Sequence, residues 1–178
     1  MNVRFWSGPY DPANVRGVDT LIKSVETNGI SKNANVYAEL GSTWRFVMRD
    51  PTTAAHLLGK LLRHIGEDNV LWGTDSIWYG SPQDQIQAFR SFQIAPELIE
   101  KHGYPELTSL LKRKVFGLNG ARVYGVDVPG RRQKTEADPI GTRKQAYRQV
   151  ADPTFETYGP KTDAEYEALI AERGGLPA

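Results

Sequence analysis

Cysteine is absent from this chain of 178 residues, which excludes disulfides, thiolate nucleophiles and cysteine-based zinc sites together. Any bound metal must use histidine, carboxylate or water. Histidine is scarce too: only His56, His64 and His102 occur. Neither sign of charge is in excess, with 22 Lys and Arg against 21 Asp and Glu, so no general attraction to nucleic acid or to a membrane surface follows. Long apolar runs are missing, and nothing approaches the ~18 residues of a membrane span. The opening MNVRFWSGPYDP has no apolar run after its basic residue, which leaves a cytoplasmic location as the default expectation. There is no glycine-rich phosphate loop, Walker or dinucleotide fingerprint, internal repeat or low-complexity tract.

What is present reads as an α/β pattern. Val18, Leu21, Ile22 and Val25 form an apolar stripe at helical spacing, and the helix is expected to stop at Asn28-Gly29. NVYAEL, residues 35 to 40, has the side chains of a buried strand that Gly41 ends. Asp50-Pro51 is a helix start, with Asp as cap and Pro in the first turn. Ala54, Ala55, Leu57, Leu58, Leu61, Leu62 and Ile65 give that helix a wide apolar face. After Asp68-Asn69, VLWGT reads as a second strand running to Asp75. A strand, a long helix and a strand make a βαβ unit, whose strands should be parallel with a right-handed crossover. Helices are then expected in QDQIQAFRSF, APELIEKH and PELTSLLKRKVFG, and LNGARVYGV reads as a final helical turn returning Val123 and Tyr124 to the core. From about Pro129 periodic hydrophobicity fades, and the spacing predicts an extended arm followed by a terminal helix capped by Thr162 or Asp163.

Parallel strands deliver their reacting groups from the loops after their C-terminal ends. The first strand end offers Glu39, Gly41, Ser42, Thr43, Trp44 and Arg45, and the second offers Asp75, Ser76, Trp78 and Tyr79. A carboxylate at such an end ligates a divalent metal or takes the proton of a metal-bound water. Asp75 is therefore the candidate catalytic and metal-binding residue, against the simpler reading that Asp-Ser caps a turn. Trp44, Arg45, Trp78 and Tyr79 are the candidate substrate-binding residues. Glu39 is expected to pair structurally with Arg45. His56 and His64 are expected at a helix surface, with His64 favouring the C-terminal dipole and His102 a second helix end. The basic residues from Arg131 to Arg148 are interleaved with Glu136 and Asp138, which points to a solvated or subunit-binding arm and away from nucleic acid.

Three segments in order resemble the end of an amidohydrolase-related barrel, the metal-dependent TIM-barrel hydrolase family. They are Asn35 to Glu39, similar to its seventh strand; Asn69 to Asp75, similar to its eighth; and Asn119 to Gly125, similar to its closing helix, with Gly120 in place of an alanine. The resemblance covers about residues 15 to 125. It implies the C-terminal portion of a (β/α)8 barrel with two or three parallel strands, the third being NVRFW, over residues 1–128, and an arm over 129–178. It also implies a metal-activated water attacking a C–N or C–O bond, or decarboxylation in related subgroups, with Asp75 binding the metal and handling the proton.

The family's other ligands are histidines on earlier strands, and none has a counterpart here. A complete eight-stranded barrel needs ~250 residues, so the expectation is a truncated or split member. Zinc, with manganese or iron as alternatives, would bind only once those ligands are supplied. The expected partners are a small-molecule substrate and either a complementing N-terminal barrel half or further copies of the chain, with no nucleic acid or membrane. Two other readings stay open: an inactive fragment acting through its interaction surfaces, and a small α/β module binding a ligand between Trp44, Trp78 and Tyr79.

Overall fold

The computed structural model describes residues 7–149 together with Ala168 and Ala171. The possible strand in NVRFW lies outside the described residues, as does the terminal helix apart from Ala168 and Ala171, both helical. The chain divides into two compact units, Met1–Gly125 and Val126–Ala178.

The first unit is mostly helical around a small parallel sheet. Helix α1 (Val18–Thr27) buries Ile22 and Val25. It ends as its Asn-Gly suggests: Gly29 adopts φ 62°, and the chain turns so that the Ile30 N–H reaches Val25 O at 2.9 Å. This left-handed stop suits glycine, which has no Cβ to clash. Strand β1 (Ala38–Glu39) leads directly into α2 (Gly41–Val47), which supplies the first turns after the strand. Helix α3 (Pro51–His64) starts on Asp50, whose Oδ1 accepts the N–H groups of Thr52 and Thr53 at 3.1 Å each. Those bonds, the Thr53 N–H foremost, hold the Asp50 carboxyl below its usual range. Such a cap contributes about 1 kcal/mol.

Strand β2 (Val70–Leu71) pairs parallel with β1, Ala38 opposite Val70 and Glu39 opposite Leu71. The parallel βαβ arrangement agrees with the sequence, but both strands are shorter than their apolar runs. At the entry of β1 the reason is local. The side-chain amide of buried Asn69 donates to the carbonyls of Ala34 and Val36, groups that a longer ladder would use.

The core lies between this sheet and the helices. Trp44 meets Phe89 edge-on at 5.1 Å, and Phe89 and Trp72 both pack on Phe116, at 5.0 and 4.7 Å. Helix α4 (Ser76–Tyr79) is a single turn, followed by α5 (Gln83–Ser91) and α6 (Pro96–His102). The helical run then continues through α7 (Ser109–Arg113), a π turn (Lys114–Leu118) and α8 (Asn119–Val123). This last stretch staples the loop entering β2. Asn119 Nδ2 donates to Glu67 O at 2.8 Å and Val70 O at 2.9 Å, and Arg122 Nη2 donates to Asp68 O at 2.5 Å and Asn69 Oδ1 at 3.0 Å. Tyr124 does not return to the core as expected. Helix α8 ends just before it, Gly125 turns the chain at φ 62°, and the Tyr124 side chain is 78% exposed.

The second unit corrects the expectation of an extended arm. It contains α9 (Val128–Ala137) and α10 (Pro139–Gln149), neither with a buried residue. Asp127 caps α9 by accepting the Gly130 N–H at 3.1 Å, with Pro129 in the first turn. Arg, Lys, Gln, Glu and Ala are good helix formers, but a helix lacking an apolar stripe gives no periodic signal. Among the described residues no helix is long and apolar enough to cross a membrane.

Candidate functional site

Asp75 leaves the β2 segment in a left-handed conformation, φ 49° and ψ 33°, and heads α4. Asp tolerates this region better than most residues, and an occupied left-handed site is a small reservoir of strain. The conformation turns the carboxylate toward the exit of β1. There Asp75 Oδ2 accepts the backbone N–H of Ser42 at 2.8 Å and its hydroxyl at 2.6 Å. Tyr79 adds its hydroxyl to the cluster, 3.1 Å from Ser42 Oγ. The turn reading of Asp75 therefore also has a basis, since its carbonyl accepts the Trp78 N–H at 2.9 Å.

Glu39 joins this cluster and does not pair with Arg45. Its Oε1 accepts the Gly41 N–H at 2.9 Å. A Cβ placed on Gly41 would stand 2.7 Å from Glu39 Oε2 and 3.1 Å from Asp75 Oδ2, so the two carboxylates flank one glycine. Gly73 is constrained in the same way, since a Cβ there would collide with the Glu39 carboxylate. Arg45 goes elsewhere: it pairs with Asp84 at 3.5 Å and lies over the Tyr79 ring, 4.6 Å from its centre. Asp84 is five residues beyond Tyr79, on the next helix, and nothing in the local sequence marked it as the partner.

Of the expected aromatic wall, only part assembles. Trp44 is fully buried, its indole N–H donating to Gln85 O at 3.0 Å, so it is a core residue and forms no substrate wall. Trp78 stands in solvent at 79% exposure beside Ile77 at 86%. Tyr79 lies between Phe46, at 6.0 Å, and Arg45. Asp75, Tyr79 and Arg45 are thus linked through Ser42 and the Tyr79 ring, Trp78 stands exposed on the same short helix, and Trp44 is separated from them. An apolar cavity of about 330 Å³ adjoins β1, lined by Tyr37, Glu39, Leu40, Thr43, Leu57 and residues of α1 and its approach. Glu39 reaches this cavity, while Asp75 is not among its lining residues.

The histidines lie away from Asp75. His56 is 5% exposed, contrary to the expected surface position, because Tyr104 covers it and shares a hydrogen bond with Nδ1 at 2.9 Å. Burial, with His102 and the nearby lysines adding repulsion, lowers its pKa. His64 pairs with Glu26 at 3.0 Å, and His102 closes α6 before the left-handed Gly103.

Ser42, noted at the first strand end, was not among the candidate catalytic or substrate-binding residues. Its signal was present only as position, directly after Gly41 at a strand exit. Comparison of the chain with protein-family models, curated proteins and solved structures finds no match.

Proposed function

We propose that this chain is the C-terminal portion of an amidohydrolase-related (β/α)8 barrel, in which Asp75 serves metal-dependent hydrolysis of a C–N or C–O bond. One observation carries the reading. Asp75 sits left-handed where β2 opens, with its carboxylate fixed by Ser42 and beside Glu39, at the exit of the parallel neighbour. Sheets of parallel strands carry their chemistry at that end. The order of strand, helix, strand and closing helical run supports the same reading.

The donor set of this chain does not by itself fit a catalytic metal. Among the described residues no group of three or more His, Cys, Asp or Glu converges, and each histidine is placed elsewhere. No step is therefore routed through a metal held here alone. In the proposed reaction Asp75 takes the proton of the attacking water, its Oδ2 already engaged by Ser42 and its other oxygen the acceptor. Arg45, anchored by Asp84 and Tyr79, and Trp78 and Tyr79 would contact the small-molecule substrate. A complementing barrel half or further copies of the chain would supply histidines for zinc, manganese or iron. The decarboxylase alternative uses the same carboxylate at a C–C bond.

Elemental analysis of the chain, isolated with whatever assembly it forms in its source, tests this reading. Stoichiometric zinc, manganese or iron that Asp75→Ala removes is the expected result. An assembly without metal overturns it.

A second reading, an inactive interaction protein, is favoured by the two-stranded sheet, since each strand has one neighbour only among the described residues. Open edges invite pairing. Light scattering that finds a stable monomer counts against that reading.

A further inference from the structure

The apolar cavity of about 330 Å³ beside β1 has no part in the proposed Asp75 reaction, since Asp75 does not line it. Helix α1 contributes Val18 and Leu21 to its walls, β1 and the residue after it contribute Ala38 and Leu40, and helix α3 contributes Leu57 and Leu61. Ligand pockets run from ~300 to ~1,000 Å³. This one lies at the small end, which suits a molecule whose apolar part is a single ring or a short chain.

Two polar groups interrupt the apolar lining. Ser7, also a wall residue, is 5% exposed, and its hydroxyl has no hydrogen-bond partner. A buried hydroxyl left unpaired is costly, and a ligand that reaches it with a polar atom relieves that cost. Glu39 is exposed and brings a carboxylate to the mouth of the cavity. Its Oε1 accepts the Gly41 N–H at 2.9 Å, and among the described residues no Lys, Arg or His pairs with it. The Asp75 carboxylate flanks the same Gly41 and also lacks a cationic partner among the described residues. Arg45, on the helix that starts at Gly41, is matched by Asp84 at 3.5 Å. Helices α2 and α4 both begin here, and their N-terminal ends offset at most roughly half a charge each. Against two carboxylates, that leaves a negative mouth.

We infer that this cavity binds a small primary amine with an apolar body, an alkyl or arylalkyl ammonium, with the hydrocarbon between α1 and α3 and the ammonium at Glu39. Burial of the hydrocarbon supplies most of the affinity, and the carboxylate chooses the head group. An anion of the same shape is repelled by Glu39 and Asp75, whereas a neutral molecule keeps the apolar contact and loses the charge pairing. Ser7 offers a second polar contact inside. The inference does not depend on the role of Asp75.

The experiment titrates the full chain at neutral pH and constant ionic strength with phenethylamine, its neutral counterpart phenethyl alcohol and the anion phenylacetate, following the backbone amide signals by NMR. The expected result is a saturable shift at Tyr37 to Leu40 with the amine, binding of the alcohol about threefold to fivefold weaker, as an exposed ion pair allows, and weaker binding again of the anion. Glu39→Gln keeps an oxygen for the Gly41 N–H, and it should bring the amine down to the affinity of the alcohol while leaving the alcohol unchanged. Val18→Phe adds bulk at the wall and should weaken both, with a thermal scan confirming that each variant folds. A response that does not saturate, equal affinities for amine and alcohol, or a Val18→Phe variant that binds as the wild type does overturns the site. Binding that appears only once residues 1–6 are removed means that the chain's own start fills the cavity, and it overturns the proposal too.

Discussion

Asp75 Oδ2 accepts two hydrogen bonds from a single residue, Ser42, through its backbone N–H at 2.8 Å and its hydroxyl at 2.6 Å. The pair ties together two strand exits far apart in the chain. It also separates what two substitutions remove. Ser42→Ala deletes the hydroxyl bond and keeps the backbone one. Because the contact is exposed to solvent, the expected loss is about 1 kcal/mol or less. Asp75→Ala deletes both bonds and leaves alanine in a left-handed conformation, which alone costs roughly 1–2 kcal/mol. Asp75→Asn keeps an acceptor and tolerates that conformation. Denaturant unfolding should therefore rank Asp75→Ala as the least stable of the three. If Asp75→Ala is as stable as the wild type, the carboxylate does not hold the two exits together.

Gly59 lies within α3, where alanine normally gains about 1 kcal/mol over glycine. Here a Cβ would collide with the Tyr104 ring. Tyr104 cannot retreat freely, since its hydroxyl bonds His56 and its ring stacks on His102. Gly59→Ala is expected to lower stability by about 1–3 kcal/mol net of propensity. A stabilised variant would show that the ring moves at little cost.

Asn119 shows why one part of the sequence pattern takes the form it does. Its buried amide satisfies the carbonyls of Glu67 and Val70, and Arg122 meets Asp68 and Asn69 from the next turn. Asn119→Ala leaves both carbonyls short of a donor and is expected to cost about 2 kcal/mol or more. Asn119→Asp should be worse, because it sets a carboxylate against two carbonyl oxygens. Equilibrium unfolding of both variants checks the order.

The parts of this fold that were legible in the sequence are those whose causes are local. Asp50 caps α3 through residues two and three positions away, and the apolar face of α3 repeats within the helix itself. The parts that were not legible depend on distant partners or on no apolar pattern. Trp44 reads as a pocket wall until Phe89 and the Gln85 carbonyl are seen to enclose it. His56 reads as a surface residue until Tyr104, 48 residues later, covers it. Arg45 has Glu39 nearby in sequence, yet the fold gives it Asp84. Helices α9 and α10 escape because helix propensity without a buried face leaves no periodicity. At the candidate site, Asp75 and Tyr79 were legible from their place after a strand, whereas the Ser42 contact required the parallel pairing to be known.

His56 gives the protein an acid-sensitive side. It is buried against Tyr104, with His102, Lys60 and Lys101 adding positive charge and Asp19 opposing them, and the sum lowers its pKa from 6.5. The folded chain thus binds fewer protons at this group than the unfolded chain does as pH falls through 6.5. By linkage, stability is fully present above that value and is lost as pH falls through it toward the lower folded value. His64 and His102 are lowered as well, each by burial first, so they add slope of the same sign. Replacing His56 by Gln should remove only its share: stability at neutral pH drops because the contact with the Tyr104 hydroxyl changes, and the decline between about pH 7 and 5 becomes shallower. Denaturant midpoints measured across that range for both proteins decide the matter. Parallel curves would mean that His56 titrates alike in the folded and unfolded chains, and that its burial beneath Tyr104 does not keep it neutral.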